Sequence, residues 1–244
     1  MRYFIELSYN GKNYYGWQVQ PNVISVQEKI TSALSTILRE EIAIVGAGRT
    51  DAGVHASQMY AHFDIDKELD DNFTYKLNAI LPDDIVIYRT VKVADDAHAR
   101  FDAVSRSYEY KIWLGRNPFL LDTSWQLNYK NIDIKAMNAA AKLLHDYEDF
   151  ECFSKVKTDV YTFNCTVTNA EWKLEGDQLT FFISANRFLR NMVRAIVGTL
   201  LDIGLGKKSV EDFKTIIESK NRSKAGVSVP AKGLFLTKVE YDYI

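Results

Sequence analysis

Residues 46 to 58 read Gly46-Ala47-Gly48-Arg49-Thr50-Asp51-Ala52-Gly53-Val54-His55-Ala56-Ser57-Gln58. A β-branched run precedes them at 42–45 and an alternating run follows at 59–63, so the pattern predicts a loop between two strands. Glycine lets such a loop adopt positive φ angles or approach a ligand closely. Because loops on a rigid sheet commonly carry chemistry, the adjacent cation, hydroxyl and carboxylate of Arg49, Thr50 and Asp51 are candidate functional groups.

The same residues allow other interpretations of this loop. Its composition alone favours a glycine-rich turn in which Arg49 is simply solvated. The Gly46-x-Gly48 pair resembles the start of a dinucleotide-binding fingerprint, but Asp51 occupies the third glycine position, and the sequence has no phosphate-binding Gly-Lys-Ser/Thr loop. Asp51 and His55 are four residues apart without a second pair at metal-ligand spacing, so a metal site is only weakly supported.

Composition places the chain among globular proteins, because 47% of its 244 residues are apolar. The first residues alternate as a strand does and lack the apolar core of a signal peptide, and no apolar run approaches membrane-spanning length. A cytoplasmic location without membrane attachment is therefore expected. Cys152 and Cys165 have no Cys-x-x-Cys spacing and are interpreted as two reduced thiols.

The charge of the chain is balanced overall but segregated along the sequence. Thirty basic and thirty-two acidic residues give a net charge of −2, which speaks mildly against nucleic-acid binding, where a basic domain is usual. However, residues 64–71 hold five acids and one lysine, whereas residues 187–194 hold three arginines and no acid. A basic cleft is therefore possible in a protein whose total charge is slightly negative.

Periodicity predicts an α+β fold. Strands are predicted near 3–9, 42–45, 59–63, 85–93, 105–114, 162–174, 178–185 and 234–243, and helices near 26–38, 71–80, 133–145 and 186–203, with a short helix opened by Ser209-x-x-Asp212. No linker rich in proline, glycine or serine separates the halves. We therefore expect two sheet-and-helix lobes, residues 1–103 and 104–244, that form one continuous body with a central basic cleft.

The predicted helix at 186–203 offers a candidate anion-binding surface. At about 100° per residue, its apolar residues make one broad face, and Arg187, Arg190 and Arg194 fall on the opposite one. A solvated helix face is the usual explanation for such residues, but here no acidic residue alternates with them. The three guanidinium groups are therefore expected to point together away from the core.

Several stretches resemble the transfer-RNA pseudouridine synthase A family. Residues 48–56 match the family signature at nine contiguous positions. Similar family motifs occur at Tyr9-x-Gly11-x-x-x-Tyr15-Gly16-Trp17-Gln18-x-Gln20, Arg106-x-Tyr108-x-Tyr110, residues 187–198 and Pro230-Ala231-x-Gly233-Leu234. The aromatic residues at 14–17 have two interpretations, ordinary core packing or a polar-aromatic surface near RNA. Altogether the resemblance extends from Tyr9 to Tyr241.

The resemblance implies roles for individual residues. Asp51 is the family's catalytic aspartate, with Arg49 as its ionic partner, and the arginine at Arg194 lies near it. Tyr108 lies against the target uracil, a contact of the kind that holds unstacked bases in general. Arg106 is also expected to contact RNA. Arg187 and Arg190 fall at positions that are not fixed in the family, so they are assigned to phosphate contact only.

The resemblance also implies the reaction, in which a uridine is isomerised to pseudouridine at positions 38 to 40 of the transfer-RNA anticodon stem-loop. The family needs neither cofactor nor metal, and its members act as homodimers. Whether Asp51 attacks C1′ of the ribose or removes the C2′ proton stays open. Two alternatives also stay open, a catalytically silent RNA-binding module and a small hydrolase that uses Asp51 with His55 or His62.

Overall fold

A computed structural model of the protein describes residues 1–129, 131–156 and 160–244. Its strands are β1 (Arg2–Tyr9), β2 (Ile44–Gly46), β3 (His55–Asp64), β4 (Ile85–Val93), β5 (Ser105–Leu114), β6 (Trp125–Leu127), β7 (Val167–Glu175), β8 (Gln178–Ala185) and β9 (Leu234–Glu240). Its helices are α1 (Val26–Leu38), α2 (Phe73–Ile80), α3 (Ile134–Lys142), α4 (Met192–Gly204) and α5 (Val210–Glu218). The predicted α+β class is confirmed.

Backbone contacts divide the chain into two units. The N-terminal unit consists of Met1–Val104 and Phe235–Ile244, and the C-terminal unit consists of Ser105–Leu234. The predicted second lobe, 104–244, included the closing segment. In the structure residues 235–244 belong to the N-terminal unit, because β9 pairs in parallel with β3, Phe235 opposite His55 and Leu236 opposite Ala56.

The sheet of the N-terminal unit has the strand order β4-β1-β3-β9, and β2 pairs with β3. β1 is antiparallel to both of its neighbours, and its central side chains Phe4, Ile5 and Leu7 are fully buried. α1 begins as predicted with a capping box, in which the Ser25 side chain accepts a hydrogen bond from the Glu28 N–H and the Glu28 carboxylate accepts one from the Ser25 N–H. The sheet thereby presents β2 and β3 as neighbouring strands.

The sheet of the C-terminal unit has the strand order β5-β8-β7, and the short β6, which was not predicted, pairs with β5. α3 packs on α4 and on β7. The Asn138 side chain fixes α3 to β7, because it accepts from the Trp172 N–H at 2.7 Å and donates to the Trp172 carbonyl at 3.0 Å. α5 begins with the predicted capping box at Ser209 and Asp212.

Two predicted boundaries near the candidate residues are wrong. β3 begins at His55 rather than after Gln58, so the loop before it is shorter than predicted. α4 begins at Met192 rather than Asn186, because Asn191 has a left-handed backbone (φ 65°) and the residues before it hydrogen-bond to other segments. The three arginines therefore do not share one helix face.

Cys152 and Cys165 are free and buried, and burial raises the pKa of their thiols to about 12 and about 11. Both side chains thus remain protonated thiols near neutral pH. Within the described parts of the chain, no helix combines the length and apolarity needed to cross a membrane.

Candidate active site

The loop that carries Asp51 joins two paired strands and is fixed at both ends. We call residues 47–54 the catalytic loop. At its start, the Ala47 N–H donates to the Tyr60 carbonyl in β3 (2.8 Å). At its end, the Val54 N–H donates to the Asp51 carbonyl (3.1 Å), which closes a turn just before β3. The backbone at Asp51 is therefore part of a closed turn.

A second segment, residues 14–17, holds the catalytic loop along its length. The Gly53 N–H donates to the Tyr14 carbonyl and the Trp17 N–H to the Thr50 carbonyl, both at 3.2 Å. Gly16 lies between these contacts at φ +87°, and a Cβ atom there would be 2.3 Å from the Thr50 carbonyl oxygen. Only glycine therefore permits this approach of the two backbones.

These contacts decide between the two interpretations of the aromatic residues at 14–17. Tyr14 and Trp17 are 5% and 2% exposed, so they pack in the core that supports the catalytic loop. Tyr15 is 59% exposed and is the member of this segment that remains available to a partner. Core packing is thus correct for Tyr14 and Trp17.

The three polar residues of the catalytic loop differ in their surroundings. Thr50 is buried, and its hydroxyl lies 2.8 Å from the Tyr9 hydroxyl, so it anchors the loop to β1. Arg49 is exposed and Asp51 is half-buried. Anchoring the middle residue directs its two charged neighbours away from the core.

The two histidines of this region have structural environments. His55 is 1% exposed, accepts the Gly11 N–H at Nδ1 (3.1 Å) and stacks on Phe235 with ring centres 4.5 Å apart. His62 is 4% exposed and accepts the Ala99 N–H at Nδ1 (3.1 Å), and burial lowers its pKa to about 4. Both rings are therefore committed to packing, which weakens the hydrolase interpretation.

In the C-terminal unit, residues 186–191 form an irregular connection between β8 and α4, which we call the arginine segment. Asn186 exchanges hydrogen bonds with Thr166, its N–H donating to the Thr166 carbonyl (3.1 Å) and its side-chain oxygen accepting from the Thr166 N–H (2.8 Å). The Arg190 carbonyl accepts the Lys155 N–H at 3.0 Å. These bonds to neighbouring segments replace those of a helix.

Arg106 and Tyr108 of β5 lie against the arginine segment. The Arg106 guanidinium donates to the Asn186 carbonyl at 2.8 Å, and Tyr108 meets Phe188 edge to face with ring centres 5.1 Å apart. Arg187 and Tyr108 are half-buried, whereas Arg190 is exposed. The structure thus groups the predicted RNA-binding arginines with Tyr108 within one unit.

Arg194 lies in the first turn of α4 and is held there by the backbone of Val229. Its Nε donates to the Val229 carbonyl at 2.7 Å, and the Val229 N–H donates to the Arg194 carbonyl at 3.2 Å. A cation at this end opposes the helix dipole, which favours anions there.

The described residues contain no cluster of three or more histidine, cysteine, aspartate or glutamate side chains arranged to hold a metal ion. Of the predicted site residues, Arg49 and Asp51 belong to the N-terminal unit. The predicted residues of the C-terminal unit are Arg106, Tyr108, Arg187, Arg190 and Arg194.

Comparison with known proteins identifies the family of the chain. A family model described as tRNA pseudouridine synthase matches residues 140–242. The chain is 54% identical over 243 residues to the tRNA pseudouridine synthase A of Bacteroides fragilis, covering 98% of this chain and 96% of the relative. It is 41% identical over 247 residues to that of Bacillus licheniformis, covering 99% and 100%. This chain belongs to the tRNA pseudouridine synthase A family.

The family predicted from residues 48–56 is thus confirmed. Nothing in the sequence pattern indicated that Tyr9 and Gly16 hold the signature loop of the family, although both lie in the N-terminal stretch that resembles a family motif. Sequence analysis also missed Val229, whose backbone holds Arg194. No sequence signal could reveal Val229, because a backbone contact between distant segments does not depend on the side chain.

Proposed function

We propose that this member of the family isomerises uridine to pseudouridine in the anticodon stem-loop of tRNA, at positions 38 to 40, with Asp51 as nucleophile or base. The family and the names of its relatives support the reaction and the class of substrate. The observation that carries the proposal is the placement of Asp51, half-buried on a loop that β1, β3 and residues 14–17 all fix. A catalytic group held in one position contributes to rate through pre-organisation.

The reaction breaks the N1–C1′ bond, turns the base and forms a C5–C1′ bond. C5 then loses its proton, and N1, which has lost its bond to the ribose, takes up a proton from solvent. Asp51 acts on the ribose, either by attack on C1′ or by removal of the C2′ proton. Both routes require an ionised carboxylate and exclusion of water from an oxocarbenium-like sugar. Asp51 of the catalytic loop would supply the carboxylate, and the bound RNA would exclude much of the water.

The other site residues are assigned to supporting roles. Tyr108, whose ring is braced by Phe188, would lie against the uracil and assist loss of the C5 proton. The family resemblance assigns Arg194 to the Asp51 carboxylate, where a guanidinium would favour the ionised form. The resemblance also assigns Arg49 to the Asp51 carboxylate as its ionic partner.

The binding of tRNA is proposed to use the arginine segment. Arg187 and Arg190 would contact phosphate groups, whereas Arg106 would act mainly by fixing the segment through the Asn186 carbonyl. We propose, from the resemblance, that the enzyme works in the cytoplasm as a homodimer. Sedimentation equilibrium of the purified protein would measure its oligomeric state directly.

The test of the proposed reaction uses tRNA with tritium at uracil C5. We expect the purified protein to release tritium from the anticodon stem-loop without added cofactor or metal. Asp51→Asn should reduce release by at least about 1,000-fold while RNA affinity and thermal unfolding stay near those of the parent protein. Asp66→Asn, which neutralises an exposed acid in the same unit, should release tritium normally.

Two results would contradict the proposal in different ways. Tight tRNA binding with no tritium release from the parent protein would favour the silent RNA-binding module. Release of free uracil, detected by chromatography, would favour the hydrolase. Normal turnover by Asp51→Asn would leave the isomerase in place but remove Asp51 from its mechanism.

A further inference from the structure

An irregular segment, residues 226–229, lies directly against the first half of α4, and we call it the strap. The Gly226 N–H donates to the buried Thr199 hydroxyl at 2.8 Å. Beside it, a Cβ atom at Gly198 would be 1.9 Å from the Val227 carbonyl oxygen. The strap and the helix thus approach as closely as two backbones can, and a shift of one displaces the other.

The strap ends in the contact that holds Arg194. Because the Arg194 Nε donates to the Val229 carbonyl, the plane of its guanidinium is tied to the backbone of the strap. A guanidinium is a rigid fork, so fixing Nε also fixes the directions of its two terminal amino groups. The position of the strap therefore sets the direction in which Arg194 can donate.

Arg222 holds the strap from the opposite side. One terminal nitrogen of its half-buried side chain donates to the Gly226 carbonyl at 3.1 Å and the other to the Ser228 hydroxyl at 2.9 Å. The Ser228 oxygen also accepts from the Asn191 side chain at 2.5 Å. Arg222 is thereby connected to the strap and, through the shared Ser228 oxygen, to Asn191, the residue immediately before α4.

We infer that Arg222 is a positioning residue for the isomerisation, which acts by fixing the strap and through it the guanidinium of Arg194. This inference rests on the proposed role of Arg194 at the Asp51 carboxylate. It differs from the simpler interpretation of Arg222 as another cation for RNA, because each of its terminal nitrogens directs one N–H at an acceptor within the strap. The fork geometry also predicts that lysine cannot replace it.

The first experiment measures single-turnover tritium release and tRNA affinity separately. Arg222→Ala should slow release by about 10- to 100-fold, because small displacements of a catalytic group have effects of that size. Its tRNA dissociation constant should stay within about twofold of the parent value. Arg222→Lys should be nearly as slow, since a single ammonium nitrogen cannot occupy both of the positions from which the two guanidinium nitrogens donate. Lys224→Ala, an exposed cation two residues away, should leave the single-turnover rate unchanged.

The second experiment tests whether Arg222 acts through Arg194. In an Arg194→Ala background, adding Arg222→Ala should have no further effect on the rate, because the group that it positions is already gone. The same fold loss in both backgrounds would overturn the inference. So would a loss confined to tRNA affinity, or a normal rate in Arg222→Ala.

The outcomes also separate this inference from the proposed function. If Arg194→Ala turns over normally, the role of Arg194 and this inference both fail, although tritium release by the parent protein still establishes the isomerase. Should Arg222→Ala fail to fold by circular dichroism, Ser228→Ala provides the test. It removes the acceptor that Arg222 and Asn191 share, so it should slow release in the parent protein and not in Arg194→Ala. An unchanged rate there would overturn the inference.

Discussion

The catalytic loop and the arginine segment are held by similar contacts but differ in the residue types that interrupt their regular structure. Both are irregular, both carry charged side chains, and both are fixed by backbone hydrogen bonds from distant segments, Trp17 to Thr50 in one and Lys155 to Arg190 in the other. The loop joins two strands that pair with each other, whereas the arginine segment joins a strand to a helix. Both regions therefore hold charged side chains on a fixed backbone, one between two strands and the other between a strand and a helix.

The difference lies in the residues that interrupt regular structure. Glycines mark the catalytic loop, and glycine is read directly as a break in a strand or helix pattern. The arginine segment ends at Asn191, whose left-handed backbone stops α4 from extending backwards. Asparagine is only several-fold enriched in that conformation, so an apolar pattern that continues through it still predicts a helix. An irregular segment is thus easier to predict from the sequence where glycine interrupts the pattern than where asparagine does.

The largest expected effect comes from blocking a close backbone contact, either the one that holds the catalytic loop or the one between α4, which follows the arginine segment, and the strap. Gly16→Ala and Gly198→Ala would place a Cβ atom 2.3 Å from the Thr50 carbonyl oxygen and 1.9 Å from that of Val227. Each should lower the free energy of unfolding by about 3 kcal/mol, measured by urea denaturation, because neither backbone can move aside without losing hydrogen bonds. Gly16→Ala also strains a positive φ angle.

A matched control is available in the catalytic loop itself. A Cβ atom at Gly48 meets no atom within 4 Å, so Gly48→Ala should change the free energy of unfolding by less than about 0.5 kcal/mol. If Gly16→Ala is equally mild, residues 14–17 do not hold the loop rigidly and the comparison with the arginine segment fails.

A smaller loss of stability should follow from lowering the pH, and it should arise in the N-terminal unit and not in the C-terminal unit. The pKa of His62 is about 4 in the folded protein, below its ordinary value of 6.5, because the ring is buried. Between these values the unfolded chain binds a proton that the folded chain does not, so stability is complete above pH 6.5 and falls as the pH approaches 4. We expect a loss of roughly 2 kcal/mol between pH 7.5 and pH 5.

The measurement is urea denaturation at both pH values, with hydrogen exchange to locate the loosened region. His62→Gln keeps an acceptor for the Ala99 N–H and should flatten the pH dependence. His145→Gln changes an exposed histidine of the C-terminal unit and should leave it unaltered. Exchange should rise first near β3 and not at the arginine segment. A pH dependence that survives in His62→Gln would assign it to other groups.

Sequence reasoning succeeded where a local signal determines the structure. The capping boxes at Ser25 and Ser209 located two helix starts, and period-two alternation gave the bounds of β4 and β8. It failed at the start of α4. Almost the whole of that helix is buried, so its sequence is apolar throughout, and the apolar residues of the arginine segment extend the same pattern backwards beyond the true start. The residue types of the site were recognisable, but the contacts that hold them join distant segments and have no local signature.

The smallest expected effect concerns the charges that the arginine segment displays. Arg187→Ala should weaken tRNA binding by severalfold, about 1 kcal/mol, and equally for different tRNA sequences, because a phosphate contact carries no base information. Its salt dependence should be shallower by about one counterion, measured by filter binding at several salt concentrations. Asp51→Asn, which likewise removes one charge but in the catalytic loop, should leave the same slope unchanged. If Asp51→Asn changes the salt slope and Arg187→Ala does not, RNA binding does not depend on the arginine segment rather than on the catalytic loop. An unaltered slope in Arg187→Ala alone would mean that this side chain only fills the surface beside Phe188.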